Sequence, residues 1–100
     1  MDDIELIRLN HGTKGEYHAL PAGSDKVGRL IWTERQGPDG PVRVAASTQV
    51  PPEIGGRGIA AMLVRALVAD AREQGFKIDP RCSYVAAMFE RHPEWSDLAA

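Results

Sequence analysis

Gln49-Val50-Pro51-Pro52-Glu53-Ile54-Gly55-Gly56-Arg57-Gly58-Ile59-Ala60 is the stretch on which the reading of this chain turns. An apolar strand runs into it and a long apolar helix runs out of it. Gly55, Gly56 and Gly58 let the backbone visit positive φ and let a ligand approach the main chain closely. The helix that follows opens at about Arg57 or Gly58, and its first turn has N–H groups without intrahelical partners. A strand, a glycine loop and a helix N-terminus in succession can therefore hold an anion such as a diphosphate, with Arg57 able to add a charged hydrogen bond. A plain flexible connection would use the same glycines, so the pattern alone leaves both readings open. Two phosphate motifs are excluded. There is no Gly-Lys-Ser/Thr of a nucleotide hydrolase, and no Gly-x-Gly-x-x-Gly after an opening strand.

Working outward, the segment before the loop alternates. Val42, Val44, Ala46, Thr48 and Val50 are assigned to one face and Arg43, Ala45, Ser47 and Gln49 to the other. Earlier strands are predicted at Ile4–Leu9, Glu16–Leu20 and Val27–Arg35, separated by His11-Gly12-Thr13-Lys14-Gly15 and Pro21-Ala22-Gly23-Ser24-Asp25. Gln36-Gly37-Pro38-Asp39-Gly40-Pro41 is the turn before Val42. After the loop the period changes. Ile59, Leu63 and Leu67 recur every four residues, with Met62, Ala66 and Ala69 beside them, which predicts a helix from Gly58 to about Gln74. Arg65, Asp70, Arg72 and Glu73 are its polar positions, and Gly75 is its C-terminal glycine. Phe76–Ile78 reads as a strand, Arg81–Arg91 as a second helix stopped by Pro93, and Glu94–Leu98 as a last turn. The order β-β-β-β-α-β-α predicts an α+β fold: a mostly antiparallel sheet with one parallel β-α-β crossover.

Composition sets the outer bounds. One hundred residues suit a single domain spanning 1–100. The lone Cys82 excludes an internal disulfide and fits a reducing compartment. The net charge of −2, with Arg and Lys scattered among acids, argues against a nucleic-acid partner. The acidic start lacks a signal-peptide layout, and no apolar run is long enough to cross a membrane, so the expected setting is cytoplasmic. No Cys/His spacing supports a metal site, so none is expected.

Several residue types could carry chemistry. Cys82 follows Pro80 and Arg81 at the predicted start of the last helix, where a helix N-terminus and a cation raise the thiolate fraction. A lone cysteine also serves as a small buried filler. His92, before Pro93, reads as closing its helix, and Trp32 and Trp95 as packing residues. Ser47 and Gln49 share a strand face and could orient a water or an amine; a plain polar sheet face is the alternative.

The run Val50–Ala60 resembles motif A of the GNAT superfamily of N-acetyltransferases. The chain is similar in particular to the compact YjdJ-type subgroup, about one hundred residues long. Further matching pieces are Gly28-Arg29-Leu30-Ile31-Trp32, Ala66-Leu67 with Ala71-Arg72, Gly75-Phe76-Lys77-Ile78, Pro80-Arg81-Cys82-Ser83-Tyr84-Val85 and His92-Pro93-Glu94-Trp95-Ser96-Asp97-Leu98. The resemblance implies a GNAT-like fold that binds acetyl-CoA as co-substrate. It implies that amides from Gly56 to Ala60 hold the pyrophosphate, with Gly55 and Arg57 in the same loop, and that main chain near Gln49 and Val50 meets the thioester. The implied reaction is attack of a neutral amine, on a small molecule or protein, through a tetrahedral oxyanion. Cys82 would then be acid/base, nucleophile or transient acetyl carrier, and Tyr84 the acid that protonates the departing thiolate. Monomer and homodimer both fit.

The sequence departs from the pattern twice. The superfamily's usual Arg or Gln is replaced by Gly55, and the subgroup's His-Thr-Glu run reads Ser47-Thr48-Gln49. Gln49 cannot act as a base. These changes weaken efficient transfer more than the fold, so a non-catalytic CoA- or acyl-CoA-binding regulatory module stands as the alternative. A GNAT-shaped interaction domain without ligand is a third reading.

Overall fold

Alternating apolar positions, broken by glycine-containing turns, build four long strands in sequence. The computed structural model describes residues 3–100. Strands β1 (Ile4–Asn10), β2 (Lys14–Pro21), β3 (Gly28–Gly37) and β4 (Gly40–Gln49) pair antiparallel with their neighbours. A short 3-10 turn at Pro52–Ile54 leads to helix α1 (Ile59–Gln74). Strand β5 (Lys77–Asp79) then pairs parallel with β4, completing the sheet order β1-β2-β3-β4-β5. Helix α2 (Ser83–Arg91) and a 3-10 segment (Pro93–Leu98) follow. This is the expected α+β order with its β4-α1-β5 crossover. Boundaries differ from the sequence-based ranges by a few residues, and α2 opens at Ser83 instead of Arg81.

The four-residue recurrence of α1 buries Ile59, Leu63, Val64, Leu67 and Ala71 against Tyr17, Ala19, Leu30, Trp32 and Ala45 of the sheet. Val85 and Met88 of α2, with Trp95 and Leu98, join the same core. Side chains this buried contribute roughly 1.5–3 kcal/mol each when large and apolar. Gly28 lets helix and sheet approach closely, because a Cβ there would lie 2.6 Å from Ile59 Cγ2. At the sheet border, Ala99 bridges Ile78 in parallel sense, and the Ala100 N–H donates to the Ile78 carbonyl at 2.8 Å.

Strict alternation in β4 is overturned by a β-bulge. Trp32 pairs with Ala45 but Ile31 pairs with Ser47, leaving Ala46 as the extra residue. One inserted residue flips every side chain beyond it to the other face. Ala46 is therefore exposed, while Arg43 and Ala45 are buried on the helix side. Thr48 faces the helix side with its partner Leu30, and Val42 and Val44 face away.

Arg43 consequently sits in the core. Its guanidinium carbon lies 4.0 Å from the Trp32 ring centre and 4.2 Å from that of Phe76. Its Nη1 donates to the Tyr17 hydroxyl at 2.8 Å, and that hydroxyl donates to Asp70 Oδ2 at 2.7 Å. Arg8 Nε donates to the same carboxylate at 2.9 Å. Asp70, one of the polar positions of the helix pattern, is thus buried and tied into the fold by two hydrogen bonds. Burial and the bond to Asp70 push the Tyr17 pKa well above its usual value. Arg43 Nε has no hydrogen-bond partner among the described residues.

Candidate functional site

The bulge, the end of β5 and the glycine loop meet at the C-terminal end of β4. Strand β5 pairs with Val42–Val44 only. Beyond that the chain swings out at Pro80 and returns once, where the Cys82 N–H donates to the Ala45 carbonyl at 2.8 Å. From Ala46 to Gln49 no strand among the described residues lies on that side of β4. The two strands therefore part beside the bulge and open a slot between β4 and the start of α2.

The glycine loop stands at the end of that strand. Gly56 and Gly58 have φ of 78° and 73°, a region that costs other residues about 1–2 kcal/mol. Gly58 is the N-cap of α1, with no side chain capping the helix and no acidic residue in its first turn. The first intrahelical bond runs from the Met62 N–H to the Gly58 carbonyl at 3.0 Å. The N–H groups of the preceding turn are left for a ligand, on the positive end of the helix dipole. Gly55, Gly56, Arg57 and Gly58 are exposed, Ile59 is buried and Ala60 is half-buried. Gly55 differs from the other two, because its φ of −68° is open to any residue. Val50 packs on the core, whereas Gln49 is exposed on the sheet face away from α1.

Cys82 is the N-cap residue of α2 and is partly buried. Its Sγ lies 3.6 Å from Thr48 Oγ1. Burial pushes the thiol pKa up, but the backbone N–H of Val85, the Thr48 hydroxyl and the backbone N–H of Tyr84 favour the thiolate, and the net displacement is downward. The structure thus brings Cys82, Thr48 and the Tyr84 amide together at the slot. The Tyr84 side chain is half-buried against the core. Thr48 was not singled out in the sequence, because the bulge that turns it toward Cys82 leaves no sequence signal. The three histidines lie in other settings: His92 stacks on Trp95 at 4.1 Å, His18 Nε2 lies 2.8 Å from Glu16 Oε1, and His11 is exposed in the turn between β1 and β2. An open groove of about 680 Å³ flanks β4 on the β3 side, lined by Asp25, Lys26, Val27 and Arg29 and by residues from Thr48 to Pro51.

Exposed positive-φ glycines and an uncapped helix N-terminus match a pyrophosphate, and the slot matches a narrow chain that can pair with strand backbone. Among the described residues no helix is long and apolar enough to cross a membrane. No curated protein matches the chain significantly. The sequence profile described as GCN5-related N-acetyl-transferase matches residues 16–98, which takes in β2 through the last 3-10 segment and every element of the slot. The chain belongs to the GCN5-related N-acetyl-transferase family.

Proposed function

We propose that this protein is an acetyl-CoA-dependent N-acetyltransferase acting on a primary amine of a small molecule or protein. The observation that carries the reading is the parting of β4 from β5 beside the Cys82 thiol, on the strand that runs into the uncapped N-terminus of α1. Amides from Gly56 to Ala60 would hold the pyrophosphate of acetyl-CoA, and backbone near Gln49 and Val50 would receive the thioester end. In the transfer step the neutral amine nitrogen forms a bond to the acetyl carbonyl carbon. The carbon–sulfur bond breaks, and its electron pair stays on the CoA sulfur. The Cys82 thiolate accepts the proton lost by nitrogen, and the Tyr84 hydroxyl supplies the proton taken up by sulfur. Both groups then re-equilibrate with water, leaving an acetamide and CoA thiol.

Cytoplasmic residence and a free monomer or homodimer accord with this reading. Gly55 and Gln49 favour a second reading, a non-catalytic CoA-binding module, because each removes a side chain that would strengthen binding or transfer.

The test pairs two measurements. Titration calorimetry with CoA is expected to show one binding site, and an amine screen that detects free CoA thiol is expected to show turnover that falls strongly in Cys82→Ser. Binding without turnover of any amine would favour the module, and no binding at millimolar CoA would remove both readings.

A further inference from the structure

We infer that Thr48 is a positioning residue for the transfer step, holding the Cys82 sulfur at one place across the slot, and that the bulge at Ala46 is what brings it there. The inference rests on the acetyltransferase reading and deepens it.

Cys82 meets β4 at two points. Its N–H donates to the Ala45 carbonyl at 2.8 Å, and its Sγ lies 3.6 Å from Thr48 Oγ1. In an unbroken strand, residues 45 and 48 carry their side chains on opposite faces. Here Ala45 pairs with Trp32 and Thr48 with Leu30, and both partners are buried on the helix side. The extra residue therefore sets the Thr48 hydroxyl on the face where Ala45 lies. The neighbouring hydroxyl of Ser47 goes with Ile31 to the other face, so the bulge selects Thr48 and not Ser47 for the cysteine.

The contacts of Cys82 differ in what they fix. The backbone bond to Ala45 places the N-cap of α2. The amides of Tyr84 and Val85 that favour the thiolate belong to the helix that carries Cys82, so they follow it wherever it lies. The Thr48 hydroxyl comes from across the slot and fixes Sγ relative to the strand along which the thioester would lie. A hydroxyl accepts from a thiol and donates to a thiolate, so the contact persists in both protonation states. Threonine is stiff about its own Cα–Cβ bond, whereas a partly exposed cysteine has three staggered positions open to it. The hydroxyl selects one of them. A base must stand within hydrogen-bond reach of the proton it takes, and a sulfur that swings to another rotamer leaves that reach.

The test compares wild type, Thr48→Val and Thr48→Ser, with acetyl-CoA saturating and the amine of highest turnover as acceptor. Valine keeps the branched shape and removes the hydroxyl; serine keeps the hydroxyl. The ratio of wild-type to Thr48→Val kcat is followed across pH, because ionisation of the amine cancels in it. The ratio is expected to be largest at low pH, where the variant's thiol is the less ionised, and to level at about tenfold at high pH, where both are ionised and placement alone differs. CoA affinity, measured by calorimetry, is expected to stay within about twofold, and Thr48→Ser to retain most of the rate. A ratio that falls to unity at high pH overturns the proposal, as does Thr48→Ser no faster than Thr48→Val. A second readout needs no turnover. The Hα–Hβ scalar couplings of Cys82 are expected to report a single staggered rotamer in wild type and Thr48→Ser, and rotamer averaging in Thr48→Val. Averaged couplings in the wild type overturn the proposal even if Thr48→Val is slow. Wild-type protein that binds CoA but acetylates no amine shows instead that the acetyltransferase reading has failed, and removes the positioning role with it.

Discussion

The Sγ of Cys82 lies 3.6 Å from the Oγ1 of Thr48, although the two residues come from different elements and the strand between β4 and Cys82 pairs only with Val42–Val44. That contact, with the amides at the start of α2, holds the thiol pKa below its usual value. The expected outcome is a rate of alkylation by iodoacetamide whose pH midpoint falls below that of an unperturbed thiol, about 8.5. Thr48→Val should move the midpoint upward. The stability consequence has a definite sign. A depressed folded-state pKa contributes stability that is present above the unfolded value and lost as pH falls through the folded value. Denaturant midpoints for the wild type and Cys82→Ser should therefore diverge as pH rises through the thiol range, in favour of the wild type. A constant difference would remove the thiolate argument.

Three neighbouring glycines should respond differently to alanine. Gly56 and Gly58 have positive φ and open space where a Cβ would go, so Ala there should cost about 1–2 kcal/mol through backbone strain alone. Gly55 is in an extended conformation, and its added Cβ would lie 3.3 Å from the Pro52 carbonyl oxygen. Gly55→Ala should stay within about 0.5 kcal/mol of wild type, since the lost flexibility of the unfolded chain offsets the tight contact. Gly55→Gln should in addition tighten CoA binding. Urea midpoints and CoA calorimetry check both statements, and a large loss at Gly55 would contradict them.

The buried network predicts an unusual ordering. Tyr17→Phe removes the donor to Asp70 and the acceptor for Arg43, leaving polar atoms stranded, at a cost of about 1–3 kcal/mol. Arg43→Met removes a buried cation whose Nε already lacks a partner, keeps contact with Trp32 and Phe76, and leaves the Tyr17–Asp70 bond intact. It should cost less than Tyr17→Phe or even stabilise the fold. Thermal midpoints of the two variants decide it; the reverse order would show that the guanidinium is more stabilising than the hydroxyl.

Alkaline pH tests the same tyrosine. Its raised pKa means that the native state keeps the phenol protonated. The associated stability is fully present below the ordinary value of about 10 and is lost as pH rises beyond it. The wild type should weaken above that point more steeply than Tyr17→Phe, as read by denaturant titrations on either side of it.

The contact between Gly28 and Ile59 should behave as a coupled pair. Gly28→Ala places a methyl 2.6 Å from Ile59 Cγ2 and should cost about 1–3 kcal/mol. Ile59→Ala alone opens a cavity and also costs stability. The double variant should cost less than the sum, because the new methyl enters the space that the isoleucine vacates. Strict additivity would mean that helix and sheet separate freely.

The element order was legible because period-two and period-3.6 patterns are written plainly on either side of Gly58, and because Gly75 and Pro93 punctuate the helices. The glycine loop was legible for the same reason: Gly56 and Gly58 do adopt the conformations that only glycine enters cheaply. The inside of β4 was not. One extra residue at Ala46 reverses a face without changing composition, so strict alternation set Arg43 and Thr48 on opposite faces although both lie on the helix side. The burial of Asp70 was hidden for a related reason. An acid on an apolar helix face looks like a solvated edge until its partners, Tyr17 and Arg8, arrive from distant strands. Cys82 could be singled out by type and position, but its hydroxyl neighbour depended on the bulge.

The borders of the sheet are treated unequally. At β5 the Ala99 bridge and the Ala100 N–H supply hydrogen bonds to Ile78, so a foreign chain finds that margin occupied. At β1 the outer margin has no neighbour among the described residues, and Ile4 to Asn10 present backbone donors and acceptors sideways. Such a margin is a template for strand addition, and proteins blunt it with charge. Here Glu5 and Arg8 supply that charge, and Arg8 is anchored by Asp70. Neutralising Glu5 and Arg8 together would thus do more than loosen a fold. It would expose a ready seam for polymerisation and turn the chain toward fibres.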